Sequence, residues 1–432
     1  MNLKKLTIPV LVSGILQIIR VCAQSPDSTA QLAASYFHEA ATASSKQTIW
    51  PVKLYGPMLF VDVNTRRVWA NMPDSGRILK PDGEIYKGIL PKEVMVANTA
   101  INWEGRLWSV ILWPLPQNHD ERLNLVIHES FHRVQEQLGL PAHSPTADHL
   151  STMDGRIYFL LELQALKAAL SKPVQQRQAD LTSALLFREK RRELFPQSFN
   201  NERLLEMNEG LAEYTGVILG RAKDSIKQHL FDVMAHAADH ESLIRSFPYI
   251  TGPVYGYLLY EKNPKWTLKV DSNSSFPRLI TTNYHIRFAE KLSDKEVARR
   301  ADQYNGKAII GTEKRKEAEH QKLISGYVAR FTKQPVLRIK LIKMNINFNP
   351  NNLFDLGEYG TVYPTAQIKD VWGQLTVSEN GVLMKDWREI TLPVDEGIKN
   401  AGQTIEGKGW KLILNPGWKM IKTDDLHFVI AD

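Results

Sequence analysis

The chain has 432 residues, 43% hydrophobic and 23% charged, with 25 Gly, 22 Pro and a single Cys. That length suits two or three domains with ordinary apolar cores, and one cysteine excludes both an intramolecular disulfide framework and a Cys-rich zinc module. The formal charge of +7 forms no long basic run, so nucleic acid is not an expected partner.

Residues 1–23 combine a basic start (Lys4, Lys5), an apolar stretch from Leu6 to Ile19, and small residues at Val21 and Ala23. This is the layout of a secretory signal peptide cut before Gln24. The apolar stretch is broken by Pro9, closed by Arg20, and shorter than the roughly 20 residues that span a bilayer. The expected mature protein is therefore periplasmic or secreted, without stable membrane insertion. Acylation of Cys22 is the alternative, against which Arg20 and Val21 speak. Cleavage removes Lys4, Lys5, Arg20 and Cys22, taking the charge from +7 to +4 and leaving no thiol.

Residues 24–45 are small and polar and read as a linker or a short helix. From 46 to 117, short runs such as MLFVDV, RRVWAN and RLWSVILW alternate with Asn, Asp, Gly and Pro signals, which predicts a β part. Most of these runs are apolar on both faces, so the sheet should be covered. From 118 to 331 the period becomes helical. From 332 to 432, strand patterns return around turns at NPNN, SENG and NPGW, predicting a separate β-sandwich or barrel-like domain. The expected class is α+β.

The chemical signal is HESFH, residues 128–132, in a helix expected from about Asp120 to Leu138 with Gly139 as its stop. Leu123, Ile127, Phe131, Val134 and Leu138 form its apolar stripe. His128 and His132 lie one turn apart on one face, where two imidazoles can grip one Zn²⁺. Glu129 then projects near the metal and can take a proton from a water there. Zinc needs a third protein ligand. Buried histidines packed on a helix are the alternative explanation of the pair.

A second helix is expected from about Glu202 to Leu219, carrying NEGLAEY. Glu206, Glu209 and Glu213 fall on one face, beside a stripe of Met207, Leu211, Tyr214 and Ile218. Three carboxylates beside a buried face are costly unless paired or metal-bound. A solvated acidic face with Arg203 as partner is the other reading.

Together HESFH and NEGLAEY resemble the gluzincin branch of zinc metallopeptidases, in which a glutamate on a second helix supplies the third ligand. Asn208-Glu209-Gly210-Leu211-Ala212 is similar to the Asn-Glu-Gly-Phe-Ala segment of the aminopeptidase N family. Glu213 falls where thermolysin-like enzymes carry the aspartate of Asn-Glu-x-x-x-Asp. The resemblance implies a zincin-like catalytic core, Glu209 as zinc ligand, Glu129 as general base and Glu213 holding a ligand histidine. It implies a peptide or protein substrate. Seventy-six residues separate His132 from Glu209, far more than in the aminopeptidase family, which leaves Glu206, Glu213 and Glu162 as rival ligands.

Tyr249-Ile250-Thr251-Gly252 resembles that family's Tyr-x-Lys-Gly segment without the lysine, and so implies Tyr249 as an oxyanion donor, with Tyr255 and Tyr257 as rivals. His236 and His240 repeat the four-residue spacing without a following Glu, and read as helix-end residues. The Gly-x-Met-Glu-Asn segment that grips a free amino terminus is not present near residues 93–102, where an edge strand is expected; this leaves endo- against exopeptidase action open. Trp103, Trp108 and Trp113 read as sheet core. The runner-up for the whole chain is a zincin-like scaffold that binds a glycan, peptidoglycan or protein partner without catalysis.

Overall fold

A computed structural model describes residues 26–240, 242–287, 293–349 and 352–431; the expected signal peptide and Cys22 lie outside the described residues. The protein is mixed α and β, with an N-terminal sheet, a helical middle and an all-β C-terminal region. It divides into two compact units. Of the described residues, the first comprises 26–47 together with 53–133, and the second comprises 48–52 together with those from 134 onward.

The first unit opens with α1 (Pro26–Ser45), where a linker or a short helix was expected. Its small residues form a helical stripe. Ala30, Ala33, Tyr36, Phe37 and Ala40 are buried, and Phe37 stacks on Phe60 at 4.2 Å between ring centres. Alanine lets a helix lie close to a sheet, and burying one phenylalanine stabilises by about 1.5–3 kcal/mol. The strands are β1 (Met58–Asp62), β2 (Arg67–Ala70), β3 (Lys80–Asp82), β4 (Ile85–Ile89), β5 (Thr99–Trp103) and β6 (Arg106–Trp113). They form one sheet in the order β3-β4-β2-β1-β6-β5, with β1 and β6 parallel and the other pairs antiparallel.

Successive strand residues point to opposite faces. Met58, Phe60 and Ile111 meet α1 and α2 (His119–Gln135) on one face of the sheet. Leu59, Val61, Val68 and Val110 meet Leu79, Leu90 and Trp103 on the other. Both faces are covered, as the doubly apolar runs predict. Trp103 and Trp108 are core residues, and Trp113 packs against Trp69 at 5.1 Å.

The second unit holds α3 (Met153–Leu170), α4 (Gln178–Leu194), α5 (Ser198–Leu205), α6 (Leu211–Gly220), α7 (Ile226–Ala235), α8 (Pro248–Lys262), α9 (Phe276–Asn283), α10 (Asp294–Gln303) and α11 (Gly306–Thr332). Strands then run from Val336–Lys340 to His427–Ala431 and build a seven-stranded and a six-stranded sheet. The two sheets share one core, with Leu337, Ile339 and Ile390 from one and Ile368, Leu375 and Leu412 from the other. Ile324, Tyr327, Val328 and Phe331 near the end of α11 pack against Leu356, Val362 and Leu383, anchoring this region to the helical part. Among the described residues, no helix is long and apolar enough to cross a membrane.

Candidate metal centre

The histidine pair is built by α2. Asn118 starts the helix by accepting the Glu121 N–H at 3.1 Å, and Asp120 and Glu121 sit in the first turn, where negative charge suits the helix dipole. Of the expected stripe, Leu123, Ile127, Phe131 and Val134 are buried, and Leu138, beyond the end of the regular helix, is half-buried. Arg122 clamps the helix start, forking onto Glu39 of α1 at 3.0 and 3.1 Å and donating to the carbonyls of Pro116 and Gln117. The regular helix stops at Gln135, and Gly139 takes the left-handed conformation (φ 67°) expected of a terminator.

One turn apart on this helix, the His128 and His132 Nε2 atoms face each other at 3.1 Å. Two ligands bound tetrahedrally at 2.0–2.1 Å to one zinc lie about 3.3 Å apart, so the pair fits a shared ion with almost no rearrangement. His128 is buried, and so is Glu129 between the two histidines in sequence.

Glu209 is placed in the second unit by an irregular helix. Between α5 and α6, residues Glu206–Gly210 form a wide π turn, where the sequence predicts an unbroken α-helix. A π turn adds a residue to the turn and shifts which side chains share a face, and such turns recur at functional sites. The expected common face of Glu206, Glu209 and Glu213 is accordingly split. Glu206 points into the core and is fully buried, whereas Glu209 and Glu213 are half-buried.

The Glu209 carboxylate is fixed at both oxygens. Oε1 accepts from Ser144 Oγ and from Asn208 Nδ2, each at 3.0 Å. Asn208 also donates to Ser144 Oγ at 2.6 Å, and its own Oδ1 accepts from Gln135 Nε2 at 2.8 Å. Oε2 accepts from the Tyr249 hydroxyl at 2.7 Å. The polar side chains of Ser144 and Gln135 carried no recognisable signal in the sequence. Tyr249 reaches Glu209 because α8 crosses the π turn with backbones touching. A Cβ added at Gly252 would lie 2.3 Å from Gly210 Cα, so this crossing requires glycine at 252, while one added at Gly210 would be tight, 3.1 Å from Gly252 Cα.

Two of the three rival ligands, Glu206 and Glu162, are committed elsewhere. Arg188 forks onto Glu206 with two bonds of 2.7 Å and donates to Glu162 at 2.7 Å. Arg191 joins Glu162 at 2.8 Å to Glu202 at 2.7 Å, and Glu202 also bonds His149 at 2.8 Å. Thr251 donates to Glu206, and Tyr255 donates to Glu162, so Tyr255 is a core residue of this network. Arg188, Arg191, Glu162, Glu202 and Glu206 are all at 0% exposure. Burial alone would lower the Arg188 pKa, but Glu162 and Glu206 raise it well above its ordinary value. Tyr257 is raised chiefly by burial, beside Glu261. His236 bonds the Asp232 carbonyl at 2.8 Å at the end of α7, and His240 is exposed beyond it.

The network makes stability depend on acid. Burial would raise the Glu202 pKa, but Arg191, the His149 hydrogen bond and Arg188 outweigh it and hold the carboxyl well below its ordinary 4.5. A depressed folded value contributes stability that is complete above the ordinary value and lost as pH falls through the folded one. Thermal unfolding followed by helical circular dichroism should therefore shift to lower temperature as pH drops below about 4.5. Glu202→Gln should flatten that dependence; an unchanged slope would contradict the assignment.

No protein-family model, curated protein or solved structure matches the chain.

Proposed function

We propose that the protein is a zinc-dependent peptidase in which His128, His132 and Glu209 are the metal ligands. The observation that carries the proposal is the 3.1 Å separation of the two Nε2 atoms on a helix that also bears Glu129. The donor set is one that zinc takes, two imidazoles one turn apart on α2 and a carboxylate held in place by Ser144, Asn208 and Tyr249. Glu206 and Glu162 are engaged by arginines, which favours Glu209 over both of them.

A zinc ion bound there would polarise a peptide carbonyl and acidify a water molecule. Glu129 takes the proton from the attacking water and returns it to the leaving amine. Tyr249, one hydrogen bond from the ligand carboxylate, turns its hydroxyl toward the developing oxyanion. Ser144 and Asn208 hold Glu209 Oε1 and so fix the carboxylate's orientation. Glu213, one helical turn beyond Glu209, is the residue assigned to orient a ligand histidine. A gluzincin-type core and export through residues 1–23 belong to the same proposal.

Hydrolysis of casein by the purified chain should be abolished by 1,10-phenanthroline and restored by stoichiometric zinc. Casein cleavage that is indifferent to the chelator would contradict the proposal.

A further inference from the structure

A cavity of about 770 Å³ opens in the second unit, bounded by α3, α11, the loop ahead of α8 and residues 352–354 of the β region. That volume takes a compact ligand or a few amino-acid residues. Leu150, Leu160, Leu243 and Phe354 give it an apolar lining. Its two carboxylates are both spent. Glu313, 1% exposed, takes Arg156 at 2.6 Å and Lys316 at 3.2 Å. Glu317 accepts from Gln321 at 2.8 Å and lies 3.8 Å from Arg156. Arg156 and Lys316, the two cations of that cluster, are spent with them.

Arg245 differs from them. It lines the same cavity, is exposed, and makes no side-chain hydrogen bond or ion pair among the described residues. His240, His320 and Asn352 also line the cavity with no side-chain hydrogen bond among the described residues, and the His320 ring rests on Phe354 at 5.4 Å. Glu241, next to His240 in sequence, lies outside the described residues. The unspent groups are thus one guanidinium, two imidazoles and one amide, a donor set for an anion. The cavity wall is continuous with the segments that hold Glu209. Ser144, bonded to Glu209 Oε1, begins the run to Leu150, and on that run the Ala147 N–H donates to the Ile244 carbonyl at 3.1 Å. Arg245 and Ser246 then enter the turn that the Tyr249 N–H closes onto the Ser246 carbonyl at 3.2 Å, and Tyr249 holds Glu209 Oε2. The ends of such a turn lie within about 7 Å of each other. The wall therefore begins about three or four extended residues from Glu209, at roughly 3.3 Å each.

We propose, resting on the reading of the chain as a peptidase, that this cavity receives the carboxyl end of the substrate and that Arg245 sets a preference for a free terminal carboxylate. A terminal carboxylate presents two oxygens to the fork of a guanidinium, and the pair forms short, charge-assisted hydrogen bonds. The last side chain of the peptide then meets the apolar lining, which a bare inorganic anion would leave unfilled. The peptides favoured are those whose free end lies about three or four residues beyond the cleaved bond. Arg245 acts in this way on the choice of substrate and not on the bond-breaking step.

The test is fluorescence anisotropy of a short fluorescein-labelled peptide ending in leucine, as free acid and as terminal amide. It is bound to the full zinc-loaded chain carrying Glu129→Gln, so that turnover is suppressed. The acid should bind at least about tenfold more tightly than the amide, the scale of a hydrogen bond to a charged group. Adding Arg245→Gln should bring both peptides to the affinity of the amide, and Arg245→Lys should keep part of the difference. Arg245 is exposed and unbonded, so neither replacement should move thermal unfolding. Equal binding of acid and amide, or a preference that survives Arg245→Gln, would overturn the inference. An amidated peptide with an internal glutamate that binds as tightly as the free acid would overturn it in favour of a side-chain carboxylate. Casein cleavage by the wild-type chain judges the peptidase reading separately. Cleavage without acid preference removes the cavity's role alone, whereas acid preference without cleavage removes the peptidase and leaves the carboxylate site.

Discussion

Glu129→Gln is expected to reduce peptide hydrolysis by about a hundred- to ten-thousand-fold while leaving bound zinc unchanged, the usual span for loss of a positioned general base. The side chain is close to isosteric, so α2 and its buried stripe should persist. Glutamine accepts no proton at neutral pH, so only the proton transfer is lost. Turnover of a fluorogenic peptide, read beside metal content and thermal unfolding, separates this outcome from simple unfolding. Full activity in the variant would remove Glu129 from the mechanism. Loss of zinc together with activity would instead make the carboxylate part of the metal's support.

Arg188→Met should lower stability by about 3–5 kcal/mol, the range for breaking a buried ion pair from one side. Its guanidinium has no exposure and satisfies both Glu206 oxygens and one of Glu162. Methionine leaves those carboxylates buried with fewer partners, at a cost far above that of a surface pair. Glu206 opens the π turn that ends one residue after Glu209, so zinc affinity should fall as well. Adding Glu206→Gln removes the orphaned charge and should recover part of the loss in urea unfolding. A destabilisation below about 1 kcal/mol in the single variant would show that the network contributes little.

What the sequence disclosed followed physical regularity. The stripe of Leu123, Ile127 and Phe131, the Asp-Glu start and Gly139 mark α2 because helix periodicity and capping are local properties. The doubly apolar strand runs likewise anticipate a sheet covered on both faces. Residues 24–45 leave both a linker and a short helix open because the buried residues of α1 are largely alanines, whose role depends on the sheet they approach.

The site divides in the same way. Spacing identifies the histidine pair, since both residues lie on one helix. The assignment of Glu206, Glu209 and Glu213 to one face failed because a π turn has no local signature and redirects Glu206 toward Arg188. That arginine lies 18 positions earlier in sequence, and Tyr255 is 93 positions from the Glu162 it contacts. Such pairings form only through tertiary packing. Ser144 and Gln135, which fix Glu209 and Asn208, are ordinary polar residues until the fold places them there.

The most direct test is the metal content of the chain purified, loaded with zinc and desalted, measured by plasma emission for wild type, His132→Ala, Glu209→Gln and Glu206→Gln. The account predicts one zinc per chain in wild type and in Glu206→Gln, and less than a tenth of that in His132→Ala and Glu209→Gln at the same protein concentration, since the loss of one of three ligands weakens binding by orders of magnitude. A wild-type chain without stoichiometric zinc, or a Glu209→Gln chain that retains it, would contradict the account.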